Sequence, residues 1–290
     1  MTPSISLIVT TYEWPQALDL TLRSIARQTQ LPEEIVISDD GSGPATTTLI
    51  HQWRRQLPVP LHHVWQPHEG FRLARSRNAA TAKSRSEYVV FVDGDMVLHP
   101  NFVEDHRQLA QQGFFIQGCR LLTRASAAQR MLESGDLDLG FFTRGIERRH
   151  HTVRNSMLSR LFSKVRTDLT AIRGCNQGYW RGDLVRTNGF NERMVGWGRE
   201  DNEIAARLHQ LGLARRNVKF KALATHLYHP RRHPHGENPN DAILAETVSR
   251  QRTHCHQGLD SHFAARFQPP VAAAAWHEYE RKVAELLDES

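Results

Sequence analysis

The first 95 residues alternate short β-branched runs with helical patterns, and that order leaves very few architectures open. Residues 5–10, ISLIVT, form an almost unbroken apolar run, the pattern of a strand covered on both faces. Pro15 follows where a first helical turn tolerates it, and Leu18, Leu22 and Ile25 recur at i, i+4 and i+7 as one apolar stripe. Residues 35–38 predict a second strand, 46–56 a second helix and 61–65 a third strand. Gly70 opens a stretch whose Ala74, Ala79 and Ala82 permit close helix packing, and YVVFVDGD at 88–95 supplies the fourth strand. The order β-α-β-α-β-α-β predicts an α/β fold with a doubly wound, mainly parallel central sheet flanked by helices.

Ligands of such sheets collect at the carboxyl ends of the strands. Three runs end there in polar clusters: Thr10, Thr11 and Tyr12; Asp39, Asp40, Gly41 and Ser42; Asp93, Gly94 and Asp95. Together they predict a nucleotide site. Side chains alternate along a strand, so Asp93 and Asp95 are expected on one face, with Gly94 letting the backbone approach a bulky ligand. Paired hard oxygen donors suit Mg²⁺ or Mn²⁺, ions that keep positions open for substrate phosphates. No G-x-G-x-x-G follows the first strand and no G-x-x-x-x-G-K-[ST] occurs, which counts against a dinucleotide cofactor and a P-loop.

A second cluster lies downstream, in GWGREDNEIAARL at 196–208. Gly196, Trp197 and Gly198 offer a flat platform, and an indole stacks well on the apolar face of a sugar. Ile204, Ala205, Leu208 and Leu211 then form a stripe that stops at Gly212, so Glu200 and Asp201 fall in a first helical turn. The structural alternative is negative charge that complements the helix dipole, worth roughly 0.3–1 kcal/mol. The histidine-rich THLYHPRRHPH at 225–235 has no cysteine near it, which argues against structural zinc. His233 and His235 are expected to be solvated or phosphate-facing.

Composition narrows the classes further. The chain has 290 residues, 39% of them hydrophobic, ample for a buried core. Three widely spaced cysteines with no C-x-x-C predict reduced thiols. No apolar run reaches membrane-spanning length and MTPSISLIVT lacks the features of a secretory signal, so the expected location is the cytoplasm. The net charge of +6 suits anionic partners without naming one.

Taken in order, ISLIVTTYEWPQALDLTLRSIARQT, EEIVISDDGS, GFRLARSRNAA, VVFVDGDM and GWGREDNEIAARL resemble a family 2 glycosyltransferase of the GT-A fold, over about residues 4–240. The last segment resembles the W-G-x-E-D stretch of galactosyltransferases and chondroitin polymerases. The resemblance implies a glycosyltransferase domain at 1–240, with a nucleotide-sugar half at 1–100 and an acceptor-binding half at 101–240, followed by a helical extension at 241–290. It implies that Thr11 and Asp39 border the uracil of a UDP-sugar with Asp40 beside them, and that Arg77 lies near the diphosphate. Asp93 would then reach ribose or metal, and Asp95 would ligate Mn²⁺ or Mg²⁺. A metal-binding histidine is implied after the helix that follows E-D; His229 is chosen over His226 for its place at a strand exit. Trp197 and Glu200 would hold the acceptor and Asn202 would orient the acids. Asp201 would be the base of an inverting transfer, although sequence alone does not separate it from Glu200. The implied product is a surface polysaccharide or lipopolysaccharide, built on a glycan or glycolipid acceptor.

Residues 144–173 carry eight Lys or Arg against Glu147 and Asp168. Within SMLSRLFSKVRTDL, Met157, Leu158, Leu161, Phe162 and Val165 fall at helical spacing, expected opposite the basic side chains. Peripheral contact with an anionic membrane and a solvated helix packed on the core are both open here. Residues 269–290 predict one further helix. Two other classes fit less well. A nucleotidyltransferase would carry a Gly-rich loop after its first strand, and Thr10–Trp14 has no glycine. A nucleic-acid-binding protein would interleave aromatic and basic residues, and its acidic strand ends would repel phosphates, so no nucleic acid is expected as a partner.

Overall fold

The computed structural model describes residues 2–147, 149–230 and 238–264. Its first half runs β1 (Ile5–Thr11), α1 (Pro15–Ala26), β2 (Glu34–Asp39), α2 (Pro44–Gln56), β3 (Leu61–Trp65), α3 (Leu73–Lys83), β4 (Tyr88–Asp93) and β5 (Met96–Leu98). The expected β-α alternation is present, with Pro15 opening α1. The chain continues through α4 (Phe102–Leu109), β6 (Phe114–Gln117), β7 (Cys119–Thr123), α5 (Ala125–Ser134), β8 (Ile146–Glu147), α6 (Ser156–Phe162) and β9 (Lys164–Arg166). Then come β10 (Asn176–Trp180), α7 (Arg181–Thr187), α8 (Glu200–Gln210), β11 (Ala214–Asn217), β12 (Leu223–His226), α9 (Asn240–Ser249) and α10 (Asp260–Ala264).

Among the described residues the large sheet has eight strands in the order β3-β2-β1-β4-β10-β6-β11-β9. Strands β1 to β4 pair in parallel, and β6 and β11 run with them; β10 and β9 are reversed. A smaller mixed sheet, β5-β12-β7-β8, stands beside it. Strand β10 fills the place between β4 and β6, and β5 pairs with β12, so residues 1–100 and 101–240 share both sheets.

Alternation explains why the parallel strands read as continuous apolar runs. Ile5, Leu7 and Val9, with Ile35, Ile37, Val90 and Val92, pack beneath Leu18, Leu22 and Ile25 of α1. Ile8, Val36, Val89 and Phe91 face the other way, against Ala74, Ala80 and Ala82 of α3 and Ile204 and Leu208 of α8. Each face is covered, so neither needs polar residues. Past residue 239 the chain continues into α9 and α10; the helix expected over 269–290, with His233 and His235, lies outside the described residues.

Candidate active site

The carboxyl ends of β1, β2 and β4 lie side by side, Thr10 opposite Ser38 and Asp93, Thr11 opposite Asp39. Asp39 is fully buried and accepts hydrogen bonds from the Ser42 amide at 2.8 Å and from His63 Nε2 of β3 at 2.9 Å. Asp40 accepts from Gln66 Nε2 at 2.6 Å and from the Arg72 amide at 3.3 Å; burial raises its pKa. The rings of Tyr12 and His68 stack 4.2 Å apart beside it, with His68 Nδ1 3.0 Å from the Asp40 carbonyl.

Strand β4 stops at Asp93, which changes the geometry expected of the two acids. Gly94 turns the chain back, its amide donating to the Thr10 carbonyl at 2.6 Å, and a Cβ there would lie 2.7 Å from that oxygen. The glycine therefore serves a close approach to β1, where the sequence suggested approach to a ligand. Asp93 and Asp95 also take separate partners. Asp93 accepts from Thr10 Oγ1 at 3.0 Å and meets Arg77. Asp95 Oδ2 lies 3.3 Å from His226 Nε2 and 3.4 Å from His229 Nε2.

The Asp95, His226 and His229 cluster has the character of a cation site. One ligand atom from each residue lies within 4.8 Å of the other two. Asp95 Oδ1 is buried and has no hydrogen-bond partner among the described residues. Burial, reinforced by the charge of Asp93, pushes the Asp95 pKa well up, and burial pulls His226 down to about 4. The neutral His226 imidazole, the His229 ring beside it and a buried carboxyl with an unpartnered oxygen fit a divalent ion, which would return Asp95 to its ionised form. Both histidines flank Asp95, so the choice made between them from sequence becomes a pair.

Across from this cluster, Arg77 of α3 is 1% exposed and surrounded by acids. Its Nη1 lies 2.9 Å from Asp201 Oδ1 and 3.8 Å from Glu200 Oε1, and its Nη2 lies 3.5 Å from Asp93 Oδ1. The rings of Phe190 and Phe91 face the guanidinium at 5.2 and 5.8 Å. Burial alone would lower the Arg77 pKa, but Asp201, Asp93 and Glu200 more than reverse it. The sequence set Arg77 near a diphosphate; buried as it is, its counter-ions are the protein's own carboxylates.

Glu200 and Asp201 open α8 as expected. Arg199, in left-handed backbone at φ 76°, precedes them. Burial, then the neighbouring charge, raises Glu200 to about 8, and its Oε2 is buried without a partner among the described residues. Asp201 is also raised, by burial against the opposing pull of Arg77. Asn202 donates to the Leu169 carbonyl at 2.8 Å, an anchor between α8 and the loop before β10 in place of the orienting contact expected. Trp197 is 52% exposed on a loop tied down by Asn238 Nδ2, which donates to its carbonyl at 2.9 Å. Sequence reasoning missed Gly174, where a side chain would collide with both Asp201 carboxylate oxygens. It also missed His63 and Gln66, which hold Asp39 and Asp40.

The fold is that of the GT-A glycosyltransferases, with a large, mainly parallel sheet flanked by helices. The likeness to solved structures is one of fold: GalNAc-T7 with UDP, GalNAc and Mn²⁺ superposes with a TM-score of 0.61 at 15% identity, over 85% of this chain and 49% of that one. Residues 6–166 match glycosyl transferase family 2, more than half of the chain, and the chain belongs to that family. Residues 156–230 match the N-terminal domain of galactosyltransferase. Among curated proteins, validoxylamine A glucosyltransferase of Streptomyces hygroscopicus subsp. limoneus is 29% identical over 226 residues, 73% of this chain and 49% of the relative. Chondroitin synthase of Escherichia coli is 23% identical over 275 residues, 85% of this chain and 37% of the relative. The chain thus spans half or less of the length of these relatives.

Proposed function

We propose that the chain transfers a hexose from a UDP-sugar to a hydroxyl of a glycan or glycolipid acceptor, with inversion at the anomeric carbon, in surface polysaccharide or lipopolysaccharide assembly. The observation that carries this reading is Arg77, which joins Asp93 at the nucleotide end of the sheet to Asp201 at the head of α8. One buried cation thereby fixes a donor-side and an acceptor-side carboxylate relative to each other.

Thr11, Asp39 and Asp40 border the nucleoside in this reading, and Trp197 offers a face to the acceptor ring. Asp95, His226 and His229 would hold the divalent ion, which when bound would neutralise charge on the departing diphosphate. Two imidazoles favour Mn²⁺ over Mg²⁺, which prefers oxygen ligands throughout. Asp201 takes the proton of the acceptor hydroxyl as the new C–O bond forms; the bond from the anomeric carbon to the diphosphate breaks and its electron pair leaves with UDP. Glu200, raised toward the neutral form, holds a second acceptor oxygen as a hydrogen-bond donor.

A panel of UDP-sugars and oligosaccharide acceptors tests the reading by metal-dependent UDP release. Release with Mn²⁺ from one sugar, accompanied by a glycosylated acceptor with the opposite anomeric configuration, is the expected result. Pyrophosphate release from a nucleoside triphosphate instead would replace the reading with nucleotidyl transfer, and retained configuration would remove Asp201 from its role as the base.

A further inference from the structure

Helix α6 and strand β9 turn their apolar side chains outward. Met157 and Leu161 are each 72% exposed, Val165 56% and Phe162 50%. The sequence placed these residues opposite the basic ones, on a face that could pack on the core. The inward side is instead made by Ser159, which is buried, and Leu158, which is half-buried. Positions 157, 160, 161 and 164 follow the i, i+3, i+4, i+7 spacing of one side of a helix, although the helix itself ends at Phe162. Exposed Arg160 therefore lies with Met157 and Leu161 on one side of the helix, and Lys164, in β9, is exposed just beyond its end.

The segment is held firmly in this attitude. Arg154 grips buried Asp105 with Nε and Nη2 at 2.8–3.1 Å. Asn155 caps the helix by accepting from the Leu158 amide at 2.9 Å. The Phe220 carbonyl accepts from the Asn155 amide at 2.9 Å, and the Phe162 and Phe220 rings lie 5.8 Å apart. Of the nearby charges, Arg154 is committed to Asp105 and Arg166 to Asp168, while Arg160 and Lys164 form no ion pair among the described residues.

We propose that the α6–β9 face docks on an anionic lipid bilayer. Apolar tips interspersed with unpaired cations suit the boundary between headgroups and acyl chains, where Met157, Leu161 and Phe162 enter and Arg160 and Lys164 meet phosphate. A protein interface fits less well, because Lys is depleted from the dry centres of such surfaces. Strand β9 is the outer edge of the large sheet, four strand positions from β4, or roughly 19 Å at the usual spacing. The docking face is thereby set apart from the carboxyl end of β4, and the inference does not depend on the reaction proposed above.

The test is co-sedimentation of the full chain with phosphatidylcholine vesicles containing or lacking about a third phosphatidylglycerol. At low salt the native protein should partition at least roughly 25-fold more strongly onto the anionic vesicles, about fivefold for each of Arg160 and Lys164, and 0.5 M salt should remove most of that difference. Arg160→Ser with Lys164→Ser should lose roughly 10–30-fold in partitioning, about fivefold per charge. Met157→Ser with Leu161→Ser should weaken binding at every salt concentration, with an unchanged melting temperature. Equal binding to neutral and anionic vesicles, or full binding by both double variants, overturns the proposal. So does a native protein that ignores vesicles and forms a dimer dispersed by Met157→Ser with Leu161→Ser, which would make the face a self-association surface.

Discussion

Replacing Arg77 by Met removes a single buried cation and strands three carboxylates. Methionine fills much of the space between Phe91 and Phe190, so the loss is chiefly electrostatic. Breaking a buried ion pair from one side costs about 3–5 kcal/mol, because the remaining charge stays desolvated. At about 2 °C per kcal/mol for a chain of this length, the melting temperature should fall by roughly 6–10 °C near pH 8. The pH dependence follows from the direction of the pKa shifts. Glu200 and Asp201 already stand above ordinary values with Arg77 present, and without it they rise further. Their folded values exceed their unfolded ones, so stability is greatest at low pH and is lost as pH rises through the folded values. The deficit of the variant should therefore shrink toward pH 5. Differential scanning calorimetry at both pH values decides it: a drop below 2 °C at pH 8, or an equal drop at both, would refute the view that Arg77 is the counter-ion of this cluster.

Asp95→Ala should abolish metal-dependent UDP binding with the fold intact, read by titration calorimetry with and without EDTA; tight binding by the variant in EDTA would dismiss the ion from this cluster. Asp201→Asn should lower turnover by a factor on the order of 10² to 10⁴ while UDP affinity stays near native. Near-native turnover would transfer the role to Glu200. Glu200→Gln addresses linkage: the native protein holds a proton on Glu200 that the unfolded chain releases above about pH 4.3, so native stability should decline from there up to about pH 8. The variant should flatten that decline and melt higher than native near pH 8.5, and parallel melting curves for the two proteins would contradict the raised pKa.

Local patterns carried residues 1–100 because β1, β2 and β4 are covered on both faces and α1 presents a complete apolar stripe. Each strand announces itself within six or seven residues. The family resemblance added the E-D pair and a histidine downstream, but the contacts between them depend on long-range pairing. His226 reaches Asp95 because β12 pairs with β5 in the register that puts His226 opposite Met96. Nothing within either segment encodes that register. His63 beside Asp39 follows from the strand order β3-β2 and would be legible to a reader who had the order first. Asp93 and Asp95 take different partners because the strand ends between them. Gly174 gave no signal, lying in an irregular loop far along the chain from the acid it accommodates. In α6 the spacing was legible, but the face turned outward is decided by Asn155, Ser159 and the Arg154 anchor.

The interleaving of the two sheets bears on how this protein can be cut. A fragment ending near residue 100 would keep the carboxyl ends of β1, β2 and β4 and still lack two neighbours. Strand β4 would lose β10, which covers its edge from Tyr88 to Val92, and β5 would lose β12. Both edges would offer unsatisfied backbone donors and acceptors beside side chains that are fully buried in the whole chain, an open template for aggregation. Modular engineering, in which residues 1–100 are grafted to the second part of a related chain, would have to carry β10 and β12 across with the graft. The unit of exchange is the interlocked pair of sheets, and a linear division of the sequence cuts through it.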